Sequence, residues 1–172
     1  VFERTYRTAA MAHSSIEPHG AVAAYENGKW TIWESPQGVF AVREQLAELL
    51  GAPVAEVRVT CAYPGGGFGG KVAAGKYTFA AADLSRRLGR PVRIVQSRAE
   101  EFVSPYGRPA SIQRLKVGVK SNGKLVAIEQ TGIHAVGPYE FGSEWGHAED
   151  MVTEMYDCPN VHTESLAAFT NT

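Results

Sequence analysis

The chain has 172 residues, is 44% hydrophobic, and carries 17 basic against 18 acidic residues, for a net charge of −1. That balance lacks the basic excess that binds a phosphate backbone, so neither DNA nor RNA is expected as a partner. No apolar run approaches the ~20 residues of a membrane-spanning helix.

Residues 1–15 contain no apolar export core. The cysteines, Cys61 and Cys158, form neither a disulfide framework nor a paired metal motif, and a cytoplasmic location is the expectation. The chain opens in a strand-like run and stops at Thr170-Asn171-Thr172 without a polar tail, which suggests one piece of a larger assembly. Val22 to Tyr25 and Trp30 to Trp33 flank Glu26-Asn27-Gly28-Lys29, and Asn-Gly favours a type I′ hairpin. Val39, Val42, Leu46, Leu49 and Leu50 then recur at helical spacing until Gly51 and Pro53 stop the helix. Val57, Val59 and Cys61 alternate with Glu56, Arg58 and Thr60, the pattern of a half-buried strand.

After the glycine-rich run Pro64 to Lys71, an alanine-rich helix is expected from Val72 to Leu88, closed by Gly89 and Pro91, with a strand at Val92 to Val95. A second hairpin follows, Leu115 to Lys120 and Leu125 to Glu129 around Ser121-Asn122-Gly123-Lys124, by the same Asn-Gly device. The fold class is therefore α+β: antiparallel hairpins frame a helix–strand–Gly loop–helix–strand segment.

Pro64-Gly65-Gly66-Gly67-Phe68-Gly69-Gly70-Lys71 is the stretch that bears on function. Glycine at this density lets a backbone come very close to a ligand, or turn several N–H groups toward one object. Gly65 to Lys71 satisfies the GxxxxGK core of a phosphate loop, but Val72 stands where the magnesium-binding hydroxyl belongs. The strand Val92 to Gln96 also lacks the aspartate that would hold that ion. Gly65-x-Gly67-x-x-Gly70 also satisfies a dinucleotide-binding pattern. There Gln96, Ser97 and Arg98, at the end of the next strand, would suit the 2′-phosphate of NADP rather than NAD.

A third reading covers nearly the whole chain. Gly-Gly-Gly-Phe-Gly-Gly-Lys resembles the loop of the molybdenum hydroxylases, the family of xanthine dehydrogenase, aldehyde oxidase and carbon monoxide dehydrogenase. Trp33-Glu34-Ser35-Pro36-Gln37 is similar to the family's glutamine-bearing strand end. Ala12-His13-Ser14-Ser15-Ile16-Glu17-Pro18-His19 resembles its His–x–x–x–Glu-Pro-His entry. Gly89-Arg90-Pro91-Val92-Arg93, Lys116-Val117-Gly118 and Tyr156-Asp157-Cys158-Pro159-Asn160-Val161 match further landmarks in the same order. Residues 1–172 then correspond to a partial molybdopterin-binding domain, the first part of the large subunit.

The resemblance implies a molybdenum-dependent oxidoreductase that hydroxylates a carbon with water as the oxygen source. The cofactor would be molybdopterin, in the mononucleotide or the cytosine dinucleotide form. Electrons would leave through iron–sulfur clusters and FAD on partner domains or subunits. Gln37, Gly66, Gly67, Phe68 and Gly69 are the implied cofactor contacts. Gln37 would donate its amide toward an oxygen ligand of the molybdenum, and Phe68 and Gly69 would turn backbone N–H groups toward the metal's ligands. Lys71 reads either as an anion contact or as a partly exposed structural lysine.

Val72 follows that lysine where xanthine-oxidising members carry a glutamate. A purine edge left unpaired costs ~1–3 kcal/mol, so the implied substrate is an aldehyde or an N-heteroaromatic. The carbon monoxide branch is disfavoured, because neither cysteine lies in a loop of its type. His147, in the segment Glu144 to Asp150, is the candidate for a second substrate-facing position. The family's general-base glutamate, its Ala-Phe-Arg loop and most pterin contacts lie in later segments, so this chain alone is expected to be inactive. The alternatives are an NADP-binding Rossmann-type domain and a non-catalytic relative acting in assembly.

Other residues read as structural. The five histidines have no zinc-ligand spacing; His13, Glu17 and His19 suggest a hydrogen-bonded corner. Glu100-Glu101 and Glu149-Asp150 read as solvated faces, Trp30, Trp33 and Trp145 as core or interface, and Arg108 in Tyr106-Gly107-Arg108-Pro109 as a loop-holding residue.

Overall fold

The computed structural model describes residues 1–105, 107–138 and 147–171. In chain order its elements are β1 (Phe2–Thr8), β2 (Gly20–Glu26), β3 (Lys29–Glu34), α1 (Val39–Leu50), a 3₁₀ turn (Val54–Glu56), β4 (Val57–Thr60), α2 (Lys76–Leu88), β5 (Val92–Val95), α3 (Arg98–Glu101), β6 (Ser111–Val119), β7 (Leu125–Gly137), α4 (His147–Met155) and β8 (Val161–Phe169). The result is a mixed α+β chain with two four-stranded sheets. Among the described residues no helix is long and apolar enough to cross a membrane. The chain divides into two units, Ala12–Gly107, and Val1–Met11 with Arg108–Thr172.

In the first unit the strand order is β4-β3-β2-β5. Asn27 and Gly28 take φ of 51° and 81°, both positive as a type I′ turn requires, and they fold β2 onto β3 with Tyr25 opposite Trp30. α1 then returns the chain so that β4 lies parallel to β3, and β5 pairs antiparallel with β2 at the other edge. Gly51 ends α1 in the left-handed region at φ 64°. Strand alternation sends Ala21 and Ala23, Trp30 and Ile32, and Val57 and Val59 to one face. There they pack against Val42, Leu46, Ala47 and Leu50 of α1 and Tyr77, Ala81 and Ala82 of α2. Burying a side chain such as Ile32 or Leu46 contributes roughly 1.5–3 kcal/mol.

The alanine-rich helix starts at Lys76, not at Val72. Tertiary partners capture the backbone that the pattern assigns to its first turn. Lys71 exchanges hydrogen bonds with Gln37, and the Ala74 N–H donates to Gln45 Oε1 at 2.7 Å. Helical spacing of alanines cannot register that competition.

The second unit holds a sheet of order β1-β6-β7-β8, with β8 parallel to β7 and the other pairs antiparallel. Its hairpin turn differs from the first. Gly123 has φ 86° while Asn122 is not among the positive-φ residues, and Lys120 pairs with Lys124. This is a three-residue loop with glycine at its left-handed position, beside a register shift at Gly118/Val119. Asn-Gly alone does not separate the two turn types; loop length does.

Candidate cofactor-binding site

Gln37 leaves the end of β3 just before α1 and meets the glycine loop that follows β4. Its backbone N–H donates to Lys71 O at 2.8 Å. Its side-chain Oε1 accepts from the Gly69 N–H at 2.8 Å and the Lys71 N–H at 3.2 Å. Two donors on one oxygen fix which end of the amide is which, and they leave Nε2 as the outward group. Gln37 is exposed, and Nε2 has no hydrogen-bond partner among the described residues. The Gly69 N–H, which the resemblance would turn toward a metal ligand, here donates to Gln37 Oε1.

The loop fits closely around that amide. A Cβ on Gly67 would stand 2.5 Å from Gln37 Oε1, and one on Gly66 2.9 Å from the Phe68 ring. Gly66 and Gly69 have φ of 100° and 95°, and Phe68 itself lies at φ 54° and is 62% exposed. A non-glycine residue in that region is strained by about 1–3 kcal/mol and persists where its surroundings over-determine it.

Those surroundings come from the His–x–x–x–Glu-Pro-His segment. Glu17 grips the start of the loop twice: its N–H donates to Gly65 O at 3.2 Å, and its Oε2 accepts from the Gly65 N–H at 2.8 Å. A Cβ on Gly65 would sit 2.4 Å from the Glu17 Cβ. Lys71, only 3% exposed, donates from Nζ to Glu17 Oε2 at 2.9 Å, to Glu17 O at 3.1 Å and to Ser35 Oγ at 3.3 Å. Lys71 is thus a buried structural cation rather than a partly exposed one or an anion contact. Burial works against ionisation of Glu17, but hydrogen bonds from Ser35, Lys71 and Gly65 and the Lys71 charge outweigh it and hold the carboxyl below its ordinary range.

At the far end of the loop, His19 Nε2 faces Gly70 O at 2.8 Å and Nδ1 faces the Glu101 carboxylate at 2.9 Å. A carbonyl only accepts, so Nε2 carries its hydrogen and a proton lies between Nδ1 and Glu101. The His19 N–H also donates to Glu101 Oε1. Beneath the loop, β3 carries Glu34 onto the core face two residues after Ile32, where Tyr77 donates to its Oε1 at 3.3 Å. Burial pushes the Glu34 carboxyl up to about 6, against partial relief from the Thr78 and Tyr77 hydroxyls and the His19 and Lys71 charges. Burial and the neighbouring Glu34 charge raise the Tyr77 phenol well above its usual range.

Sequence reasoning missed Glu34 and Glu101. The two carboxylate pairs read as solvated faces both split. Glu101 is 6% and Glu149 2% exposed, whereas Glu100 closes a capping box with Ser97 and Asp150 faces solvent. The capping box Ser97-x-x-Glu100 was the available signal, since it turns the next residue inward. Glu149 meets His134 Nε2 at 3.1 Å in the second unit, under Gly132, where a Cβ would overlap the carboxylate. Val72 is half-buried and outside any helix. Arg108 pairs through its backbone with Met11. His147 begins α4, but its side chain, like Tyr106, Glu144 and Trp145, lies outside the described residues.

The geometry also bears on the nucleotide readings. A dinucleotide loop turns directly into its helix, whereas here Lys76 opens α2 well after Gly70, and β4 and β5 lie at opposite edges of the sheet. A phosphate loop needs its lysine at the ligand, and this one is buried against Glu17.

The profile of the molybdopterin cofactor-binding domain family matches residues 1–172. The chain belongs to this family. The molybdopterin cofactor-binding chain is 36% identical over 126 residues, 73% of its length, to the aldehyde oxidoreductase molybdenum-binding subunit PaoC of Escherichia coli (strain K12). It is 31% identical over 179 residues, 99% of its length, to the nicotinate dehydrogenase large molybdopterin subunit of Eubacterium barkeri. It covers 17% and 41% of these two relatives. Quinoline 2-oxidoreductase from Pseudomonas putida 86 superposes with a TM-score of 0.90 at 27% identity, over 99% of this chain and 23% of that one.

The residues present fit such a cofactor. Gln37 offers a neutral donor in fixed orientation, and the missing side chains of Gly66 and Gly67 let the loop close against the Phe68 ring and the Gln37 amide. The strained Phe68 turn lies between Gly65, held by Glu17, and Lys71, held by Glu17 and Gln37.

Proposed function

We propose that this chain forms the glutamine-and-glycine-loop part of the cofactor seat in a molybdenum hydroxylase. Its substrate would be an aldehyde or an N-heteroaromatic carbon, with water as the oxygen source. The observation that carries the reading is the Gln37 amide, held through Oε1 by two loop N–H groups so that Nε2 is left to donate. When bound, the molybdopterin cofactor supplies the redox-active metal at which substrate is oxidised.

This chain's residues bind and orient. Gln37 Nε2 donates to an oxygen ligand without adding a charge that titrates near neutral pH. Gly66, Gly67 and the Phe68 turn bring backbone close to the metal end, and Val72 lines the substrate side with an apolar surface. In this reading residues 1–172 are a partial domain of a cytoplasmic enzyme. The remainder of the subunit supplies the general base and pterin contacts, and iron–sulfur and FAD partners take the electrons.

Elemental analysis of the native complex that co-purifies with the chain tests the reading. Stoichiometric molybdenum is expected, and an intact complex without it overturns the assignment. In the same complex, Val72→Glu should raise purine turnover relative to aldehyde about tenfold, the equivalent of one recovered hydrogen bond to a buried polar edge. An unchanged ratio would place specificity elsewhere.

A further inference from the structure

Lys71 is the point where three supports of the site meet. Its backbone holds Gln37 at both N–H and Oε1, and its ammonium is buried on Glu17 and Ser35. Glu17 in turn is bonded to the first residue of the loop in both directions. The loop therefore closes on itself: Gly65 to Glu17, Glu17 to Lys71, Lys71 to Gln37, and Gln37 back to Gly69. The Lys71 ammonium spends its donors on Glu17 O, Glu17 Oε2 and Ser35 Oγ, and Glu17 Oε2 accepts from both Gly65 and Lys71. A buried ammonium without its carboxylate is costly, whereas deleting both charges together is close to neutral.

We propose that the Glu17–Lys71 ion pair is a latch that positions the Gln37 amide and the Gly65–Lys71 loop for the cofactor, both being positioning residues that do not touch it. The proposal rests on the molybdopterin reading above. It predicts that the charge of Lys71, once stranded, loosens the loop without unfolding the unit. It also predicts that removing the second charge restores order, which simple loss of packing would not do.

The test compares Glu17→Gln, Lys71→Met and the double variant with Asp83→Asn, which breaks the exposed Asp83 pairs with Arg86 and Arg87. Two readouts are taken: amide hydrogen exchange at Gly65, Gly69 and Lys71 in the chain, and molybdenum per chain in the native complex. Glu17→Gln should speed exchange at Gly69 and Lys71 about tenfold and lower molybdenum retention, with the melting temperature held within a few degrees, and the double variant should recover most of both. Asp83→Asn should change neither.

Unchanged exchange in Glu17→Gln overturns the latch. So does a double variant as loose as the sum of its parts, or loss that merely tracks a falling melting temperature. If exchange responds as expected while the wild-type complex holds no molybdenum, the latch stands and the molybdopterin reading fails.

Discussion

The two units bury a four-stranded sheet in different ways. Residues 12–107 cover theirs with α1 and α2, and among the described residues every fully buried apolar side chain except Ile128 belongs to this unit. Residues 1–11 and 108–172 bury Gln130, His134 and Glu149 instead, while β1 is exposed along its whole length. One sheet is held by apolar packing on a helical face. Among the described residues the other is held by its ladders, by side-chain bonds such as Gln130 to Gln113, and by a buried His–Glu pair tucked under a glycine. Apolar burial is non-directional and forgiving, whereas a buried polar pair is stable only when both partners stay in place.

The largest effect should come from the packed core. Leu46→Ala is expected to cost about 3–4 kcal/mol in urea unfolding, and Ile128→Ala about 2 kcal/mol, at the low end of such truncations because it lies outside the apolar cluster that contains Leu46. Equal losses would break the contrast between the units.

Much of the first unit was legible because its patterns are local. Asn27-Gly28, the 3.6-residue spacing of α1, its Gly51 stop and the alternation of β4 each report one element. The second unit was read less well. β7 extends to Gly137, and the parallel addition of β8 depends on non-local pairing rather than on a pattern within either strand.

At the site, Gln37 and the glycines were visible as a motif. Their hydrogen bonds were not, because nothing in Glu17, Lys71 or Glu101 taken singly says that it is buried. Glu34 shows the same limit. It looks like a surface residue at a strand end until the register of Trp30 and Ile32 is known.

Glu34 sharpens the comparison through pH. Its folded pKa is raised from 4.5 to about 6, so the folded state binds the proton more tightly than the unfolded one. The stability this contributes is complete below about 4.5 and is lost as pH rises through about 6, a loss of about 2 kcal/mol. Glu34→Gln should therefore stabilise the first unit at pH 8 by about 1–2 kcal/mol and leave it little changed at pH 4.5. A gain that is independent of pH would mean that shape, not charge, limits this position.

The smallest effects belong to the turns. Gly28 and Gly123 both have positive φ, and a Cβ would meet nothing within 4 Å at either. Only backbone strain should be felt, so Gly28→Ala and Gly123→Ala should each cost about 1 kcal/mol by thermal denaturation, whatever the core beneath. Unequal costs would show that the packed core stiffens its turn.

The supports of Gln37 also set a timetable for the chain's birth. Lys71 lies 54 residues beyond Glu17, and Glu101 lies 82 beyond His19. Closing spans of that length is unfavourable until strands between them have paired. At ~5–20 residues per second of synthesis, the hairpin of β2 and β3 is available several seconds before Glu101 emerges. The amide donor is thus made early and braced late.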